Sequence, residues 1–91
     1  MRIYFIGIGG IGVSALVRYY LAQDFLVSGS DAGESQLIDD LRREGAEISS
    51  GLKTDKMPDL VIYSAAVPED HPELVEARRH NVKCQKYAQA L

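Results

Sequence analysis

The chain has 91 residues, enough for one small domain with a single hydrophobic core but too few for two. Its net charge is −3 and its Lys and Arg residues form no run, so we expect no nucleic-acid partner. No stretch approaches the roughly 18 consecutive apolar residues of a bilayer-spanning helix, so we expect no membrane segment. Cys84 is the single cysteine, which gives no disulfide framework and favours a cytoplasmic protein with a buried, inert thiol.

The chain begins with an apolar strand that leads into a glycine-rich turn. Residues 2–8 are almost continuously apolar, as expected of a strand buried on both faces. Residues 7–12 read GIGGIG and match the G-x-G-x-x-G pattern. Such glycines let the backbone approach a pyrophosphate, whose charge is attracted by the amides at the following helix N-terminus. The strand, turn and helix together predict a phosphate-binding loop.

The next segments alternate between helix and strand. Apolar residues from Val13 to Leu21 recur at helical spacing, and the helix is expected to end near Gln23 with Asp24 in the left-handed conformation. Residues 25–30 form a second strand. Ser35 is a suitable N-cap for a second helix that ends at Gly45, and residues 46–49 form a short third strand.

The second half repeats this alternation after a polar loop at residues 51–58. Residues 60–63 form a fourth apolar strand. Pro72 and Glu73 begin a third helix, since proline suits the first helical position and an acid suits the positive end of the helix dipole. Asn81 is the expected C-cap, and residues 82–85 form a fifth strand. Residues 86–91 begin a helix or a linker.

Helical crossovers between apolar strands predict an α/β fold, a Rossmann-like, doubly wound, five-stranded parallel sheet with helices on both faces. The expected strand order is 3-2-1-4-5. The switch point then lies between the strands that end at Gly7 and Tyr63, and ligands bind beside the carboxyl ends of strands at such a point.

Three loops should converge there, containing the glycine turn, Ser30-Asp31 and Ser64-Ala65-Ala66. Asp31 lies 19 positions after Gly12 (31 minus 12), close to the offset of roughly 20 residues for an acid that binds a ribose hydroxyl. A local turn cap is the alternative explanation of Asp31, and a simple turn explains Ser64 equally well. We expect a side chain at Gly9 to occupy the diphosphate position without unfolding the domain.

The residues offer no acid-base pair, no nucleophile with a base, no metal cluster and no G-x-x-x-x-G-K-[ST] loop for ATP. Physical chemistry alone therefore predicts a domain that binds a nucleotide diphosphate and has no catalytic residues or metal ligands.

Four segments in the same order resemble the N-terminal domain of the Mur ligases, and within that family the ligases that join L-alanine to UDP-N-acetylmuramic acid. They are residues 7–14, Gly29-Ser30-Asp31, Ser64-Ala65-Ala66-Val67 and residues 70–73 (DHPE). Residues 86–91 are similar to the stretch before the family's central ATPase domain.

The resemblance implies that residues 1–91 are one domain that binds the UDP part of UDP-N-acetylmuramic acid. The amides around Gly9 to Gly12 would hold the diphosphate, Ser30 and Asp31 would lie near the uridine, and the third loop would line the crevice. The residues implied to contact UDP are Gly7, Gly9, Gly10, Ile11, Gly12, Ser14, Ser30, Asp31, Ser64, Ala65 and Ala66.

The resemblance also implies that other domains of a full-length, cytoplasmic enzyme of peptidoglycan synthesis carry ATP and Mg²⁺. That enzyme activates the muramoyl carboxylate as an acyl phosphate, which the alanine amine attacks. The domain alone is then inactive and needs no cofactor, and its partners are UDP-N-acetylmuramic acid and the remaining domains.

The sequence departs from the family pattern at Leu52, where His is common, at Asp24, where Gly is usual, and at His71, where Asn is common. The last is expected to be a surface difference. The alternatives are a sister ligase that joins a tripeptide to the same nucleotide sugar, an NAD-binding module of a dehydrogenase or redox-sensing regulator, and an interaction module with a vestigial loop. The position of Asp31 suits an adenosine ribose as well as uridine.

Overall fold

The computed structural model describes residues 1–10, 12–31, 33, 35–49, 52 and 57–87. Within these residues five parallel strands form one sheet in the order β3-β2-β1-β4-β5, so the predicted Rossmann-like topology is confirmed. The strands are β1 (Arg2–Ile6), β2 (Leu26–Ser30), β3 (Glu47–Ile48), β4 (Leu60–Tyr63) and β5 (Lys83–Lys86), and the helices are α1 (Val13–Ala22), α2 (Gln36–Glu44) and α3 (Pro72–Arg79).

The sheet buries side chains on both faces. Along β1, Ile3 and Phe5 join the core beneath α1 and α2, whereas Tyr4 and Ile6 join the core beneath α3. This alternation follows from the period of two in a strand. It also explains the continuous apolar run in β1, since a central strand has no solvent-exposed face.

The predicted helix ends are largely confirmed. The Ser35 hydroxyl accepts a hydrogen bond from the Ile38 amide, 3.3 Å away, and caps α2. Gly45 ends α2 with φ +119°, and Asp24 takes the left-handed conformation after α1 with φ +63°. At α3 the C-cap residue is His80, and Asn81 follows it with φ +60°. The predicted cap was therefore one residue late.

Several boundaries differ from those predicted. β1 ends at Ile6 because Gly7 turns the chain with φ +78° and the Ile8 amide donates to the Ser30 carbonyl. β3 has two residues rather than four. The predicted loop at residues 51–58 and the predicted helix or linker at residues 86–91 fall mostly outside the described residues.

In the described part of the chain no helix is long and apolar enough to cross a bilayer. Cys84 is half-buried, and burial raises the pKa of its thiol, as expected for the inert thiol predicted from the sequence.

Leu41→Ala should lower the free energy of unfolding by about 2–5 kcal/mol, because Leu41 is fully buried between α2 and the sheet and the change leaves a cavity. Urea denaturation would measure this loss. Leu26→Ala is the matched control, because Leu26 is 64% exposed, and its effect should stay within about 0.5 kcal/mol. Equal losses in the two variants would contradict the assignment of the core.

Candidate functional site

A groove of about 670 Å³ lies at the carboxyl ends of β1, β2 and β4. Here the three loops converge, as parallel topology predicts. The sequence-predicted residues that line the groove are Gly7, Gly9, Gly10, Ser30, Asp31, Ser64 and Ala66. The other wall is formed by Val67, Pro68, His71, Pro72 and Glu73, which lie before and within the first turn of α3.

Three other predicted residues that the structure describes, Gly12, Ser14 and Ala65, are not among those that line the groove. Gly12 is the N-cap of α1, and a Cβ built on it would lie 2.7 Å from the Tyr87 hydroxyl oxygen. Ser14 is half-buried in the first turn of α1, and Ala65 is exposed on the turn after β4. Ile11 lies outside the described residues.

The glycine loop is held by the last residue of β2. The amides of Gly7 and Ile8 both donate to the carbonyl oxygen of Ser30, at 2.9 and 3.0 Å. Within the loop, the Gly10 amide donates to the Gly7 carbonyl at 2.9 Å. Backbone hydrogen bonds therefore hold residues 7–10 of the loop, and one of the amides expected to hold the diphosphate, that of Gly10, is used inside the turn.

Asp31 contacts the glycine loop directly. Its Oδ2 accepts a hydrogen bond of 2.9 Å from the Gly9 amide, while its Oδ1 lies 3.5 Å from the Gly33 amide. The carboxylate thus lies in the crevice and contacts the local turn, whereas its binding of a ribose hydroxyl stays a prediction. The Gly9 amide, which the sequence assigns to the diphosphate, is therefore already hydrogen-bonded to the Asp31 carboxylate.

A side chain at Gly9 would first meet Asp31 and Ile38. A Cβ built there would collide with the Asp31 carboxylate and would lie 3.0 Å from Cδ1 of Ile38, a fully buried core residue. Such a side chain would have to displace the Asp31 carboxylate, and loss of nucleotide binding with little unfolding stays a prediction.

Glu73 is the site residue that the sequence analysis missed. Its Oε1 accepts a hydrogen bond of 2.5 Å from the Ser30 hydroxyl, and its Oε2 accepts bonds of 2.9 Å from the Tyr4 hydroxyl and from the Leu52 amide. The sequence assigned Glu73 only to the positive end of a helix. The available signal was that Tyr4 and Ser30 are buried and need hydrogen-bond partners.

His71 is more than the surface difference expected from the sequence. It is half-buried, lines the groove and caps α3, since its Nδ1 accepts a hydrogen bond of 3.1 Å from the Glu73 amide. Asn, the residue common at this position in the family pattern, is a good N-cap. The imidazole of His71 therefore performs the capping role that a side-chain oxygen usually performs.

The Tyr4 phenol is a stable hydrogen-bond donor. Burial raises its pKa, and the neighbouring charge of Glu73 raises it further. The phenol therefore stays protonated at neutral pH and donates to Glu73. Among the described residues, no group of three or more His, Cys, Asp or Glu side chains could hold a metal ion.

A second groove, of about 720 Å³, lies over β2 and β3 and includes Leu26, Ser28 and Ile48. Although slightly larger, it contains none of the residues that the sequence predicts for a ligand site. The groove at the carboxyl ends of the strands remains the candidate because it combines the glycine loop with polar side chains.

The chain is similar to known ligases over its whole length. The model of the Mur ligase family, catalytic domain, matches residues 2–91. UDP-N-acetylmuramate–L-alanine ligase of Clostridium acetobutylicum is 46% identical over 99% of this chain and 20% of its own length. The enzyme of the same name from Campylobacter jejuni is 45% identical over 99% of this chain and 21% of its own length. The chain thus spans about a fifth of the length of these curated relatives.

Solved structures show the same fold. UDP-N-acetylmuramate–alanine ligase from Thermotoga maritima superimposes with a TM-score of 0.89 at 37% identity, over 99% of this chain and 21% of that one. A murein peptide ligase from Psychrobacter arcticus gives 0.81 at 24% identity, over 92% of this chain and 18% of that one. At the lower identity the likeness concerns the fold alone.

Tyr4→Phe should weaken the alkaline dependence of stability. The pKa of Tyr4 is higher in the folded chain than in the unfolded chain, where it is about 10. The contribution of Tyr4 to the free energy of unfolding is therefore complete below about pH 10 and is lost as the pH rises further. Urea midpoints at pH 8 and above pH 10 should therefore differ less in Tyr4→Phe than in the unchanged chain. At pH 8 the variant should lose about 1.5–3 kcal/mol with the hydrogen bond to Glu73.

Tyr19→Phe is the control for Tyr4→Phe, because Tyr19 lies on the exposed side of α1. It should keep the alkaline decline of the unchanged chain. If Tyr4→Phe also kept that decline in full, burial of an ionisable phenol at Tyr4 would be contradicted.

Proposed function

We propose, from the premise that this chain belongs to the Mur ligase family, that its groove binds the UDP portion of UDP-N-acetylmuramic acid. The observation that carries the proposal is the convergence of the glycine loop, Ser30-Asp31 and Ser64 on one groove beside β1 and β4. Its volume of about 670 Å³ lies within the range of ordinary small-molecule sites.

The glycine loop would receive the diphosphate. It precedes α1, whose positive N-terminal end attracts anions. The Gly9 amide would exchange the Asp31 carboxylate for a phosphate oxygen, because the two anions would compete for one donor. The released Asp31 carboxylate could then accept hydrogen bonds from ribose hydroxyls. The Ser64 hydroxyl lies directly beside Gly7 in the lining of the groove and would bind the phosphate or sugar.

The chain would bind substrate without catalysing a reaction. Its sequence has no G-x-x-x-x-G-K-[ST] loop for ATP, and its described residues provide no metal-binding group. In this proposal ATP and Mg²⁺ are held by other parts of a longer enzyme, which is consistent with the chain spanning about a fifth of the length of its relatives. We therefore assign it as the N-terminal substrate-binding domain of a cytoplasmic ATP-dependent ligase in peptidoglycan synthesis.

L-alanine is the proposed amino acid of that ligase. The relatives at 45–46% identity are named as L-alanine ligases, whereas the murein peptide ligase is 24% identical. This difference favours L-alanine over a tripeptide. Family membership also favours a nucleotide sugar over NAD as the ligand of the glycine loop.

Ala66→Glu should weaken binding of UDP-N-acetylmuramic acid about tenfold. Ala66 is exposed and lines the groove, so a carboxylate there would repel the diphosphate without disturbing the core. Ala66→Lys should bind at least as well as the unchanged chain, because it adds similar bulk with the opposite charge. Isothermal titration calorimetry would measure both affinities.

Ala65→Glu is the matched control, since Ala65 is exposed on the same turn but does not line the groove. Its affinity should stay within about twofold of the unchanged chain, as expected for a screened surface charge. Equal losses in Ala65→Glu and Ala66→Glu would contradict the location of the site. An unchanged chain that bound NADH but not UDP-N-acetylmuramic acid would refute the proposed ligand.

A further inference from the structure

One carboxylate that lines the groove connects four separate segments of the chain. Glu73, in the first turn of α3, accepts hydrogen bonds from Tyr4 of β1, from Ser30 at the end of β2 and from the Leu52 amide. The two hydroxyl donors lie 69 and 43 residues away along the chain. Hydrogen bonds to an ionised carboxylate are about twice as strong as those between neutral groups.

Ser30 transmits this contact to the glycine loop. Its hydroxyl donates to Glu73, while its carbonyl oxygen accepts from the amides of Gly7 and Ile8. The next residue, Asp31, accepts from the Gly9 amide. A movement of Ser30 would therefore displace both the start of the loop and the carboxylate that contacts its centre.

The bonding of Glu73 argues against direct contact with the ligand. An ionised carboxylate has about four acceptor positions, and protein donors already occupy three of them, on both oxygens. A negative charge is also unsuited to bind a diphosphate. A simple interaction with the helix dipole would not need the buried hydroxyls of Tyr4 and Ser30.

We propose that Glu73 is a positioning residue. By holding Ser30, its carboxylate sets the distance between the glycine loop and the α3 wall of the groove, and so determines how well the groove fits a nucleotide diphosphate. This inference rests on the proposed function.

Glu73→Gln tests the proposal with little change of shape. The amide has one acceptor oxygen instead of two and carries no charge, so the bonds lose their charged acceptor and one hydroxyl must reverse its direction to keep its contact. The affinity for UDP-N-acetylmuramic acid should fall about tenfold, as expected for one hydrogen bond to a charged group. Without ligand, hydrogen exchange at the Gly7 and Ile8 amides should also accelerate by about tenfold.

Glu76→Gln is the matched control. It makes the same substitution in the same helix, where the side chain of Glu76 pairs with Arg79 and His80 on the surface. Its affinity and its exchange rates at Gly7 and Ile8 should stay within about twofold of the unchanged chain.

Ser30→Ala, alone and combined with Glu73→Gln, tests whether Glu73 affects ligand binding through Ser30. If Glu73 acts through Ser30, the two substitutions disturb the same contact and their effects on affinity do not add. The affinity of the double variant should then lie within about twofold of that of the single variant that binds less tightly. If the fold-losses of affinity in the two single variants multiply in the double variant, the proposal is overturned. Wild-type affinity in a folded Glu73→Gln variant would also overturn it. If Glu73→Gln does not fold, Ser30→Ala decides: unchanged affinity and unchanged exchange would overturn the proposal.

Exchange at Gly7 and Ile8 is measured without ligand, so its result is independent of the proposed function. If the unchanged chain does not bind UDP-N-acetylmuramic acid, the proposed function fails. Faster exchange in Glu73→Gln would still show that Glu73 holds the loop.

Discussion

The geometry of the groove depends on the Ser30 carbonyl, which accepts hydrogen bonds from two successive amides, those of Gly7 and Ile8. These bonds turn the chain sharply at the end of β1, where Gly7 has φ +78°. They fix the glycine loop to the adjacent strand before α1 begins. Because Ser30 also donates to Glu73, the same residue connects the loop to α3, and the two walls of the groove share one support.

A second constraint is electrostatic. The Gly9 amide of the glycine loop binds an anion of the chain itself, because it donates to the Asp31 carboxylate. A diphosphate that used this amide would have to displace Asp31, and the released carboxylate would lie where a ribose hydroxyl could bind it. In this account Asp31 acts first as a local anion for the loop and then as a contact for the nucleoside.

Local patterns predicted most of the fold. Apolar periodicity and the caps at Ser35 and Gly45 located the elements, and helical crossovers fixed the strand order. Convergence of the loops followed from parallel topology. The contacts of Glu73 were not predictable in this way, because they join residues 43 and 69 positions apart and leave no periodic signal. Nor could a motif show that Ala66 faces the groove while its neighbour Ala65 does not.

The most direct test of the account is a crystal structure of this chain with UDP-N-acetylmuramic acid. We predict a diphosphate oxygen within about 3 Å of the Gly9 amide nitrogen, with the Asp31 carboxylate moved away from that amide and towards the ribose. A nucleotide bound elsewhere, such as in the groove over β2 and β3, would contradict the account. So would a diphosphate in the groove that made no contact with the glycine loop while Asp31 remained on Gly9.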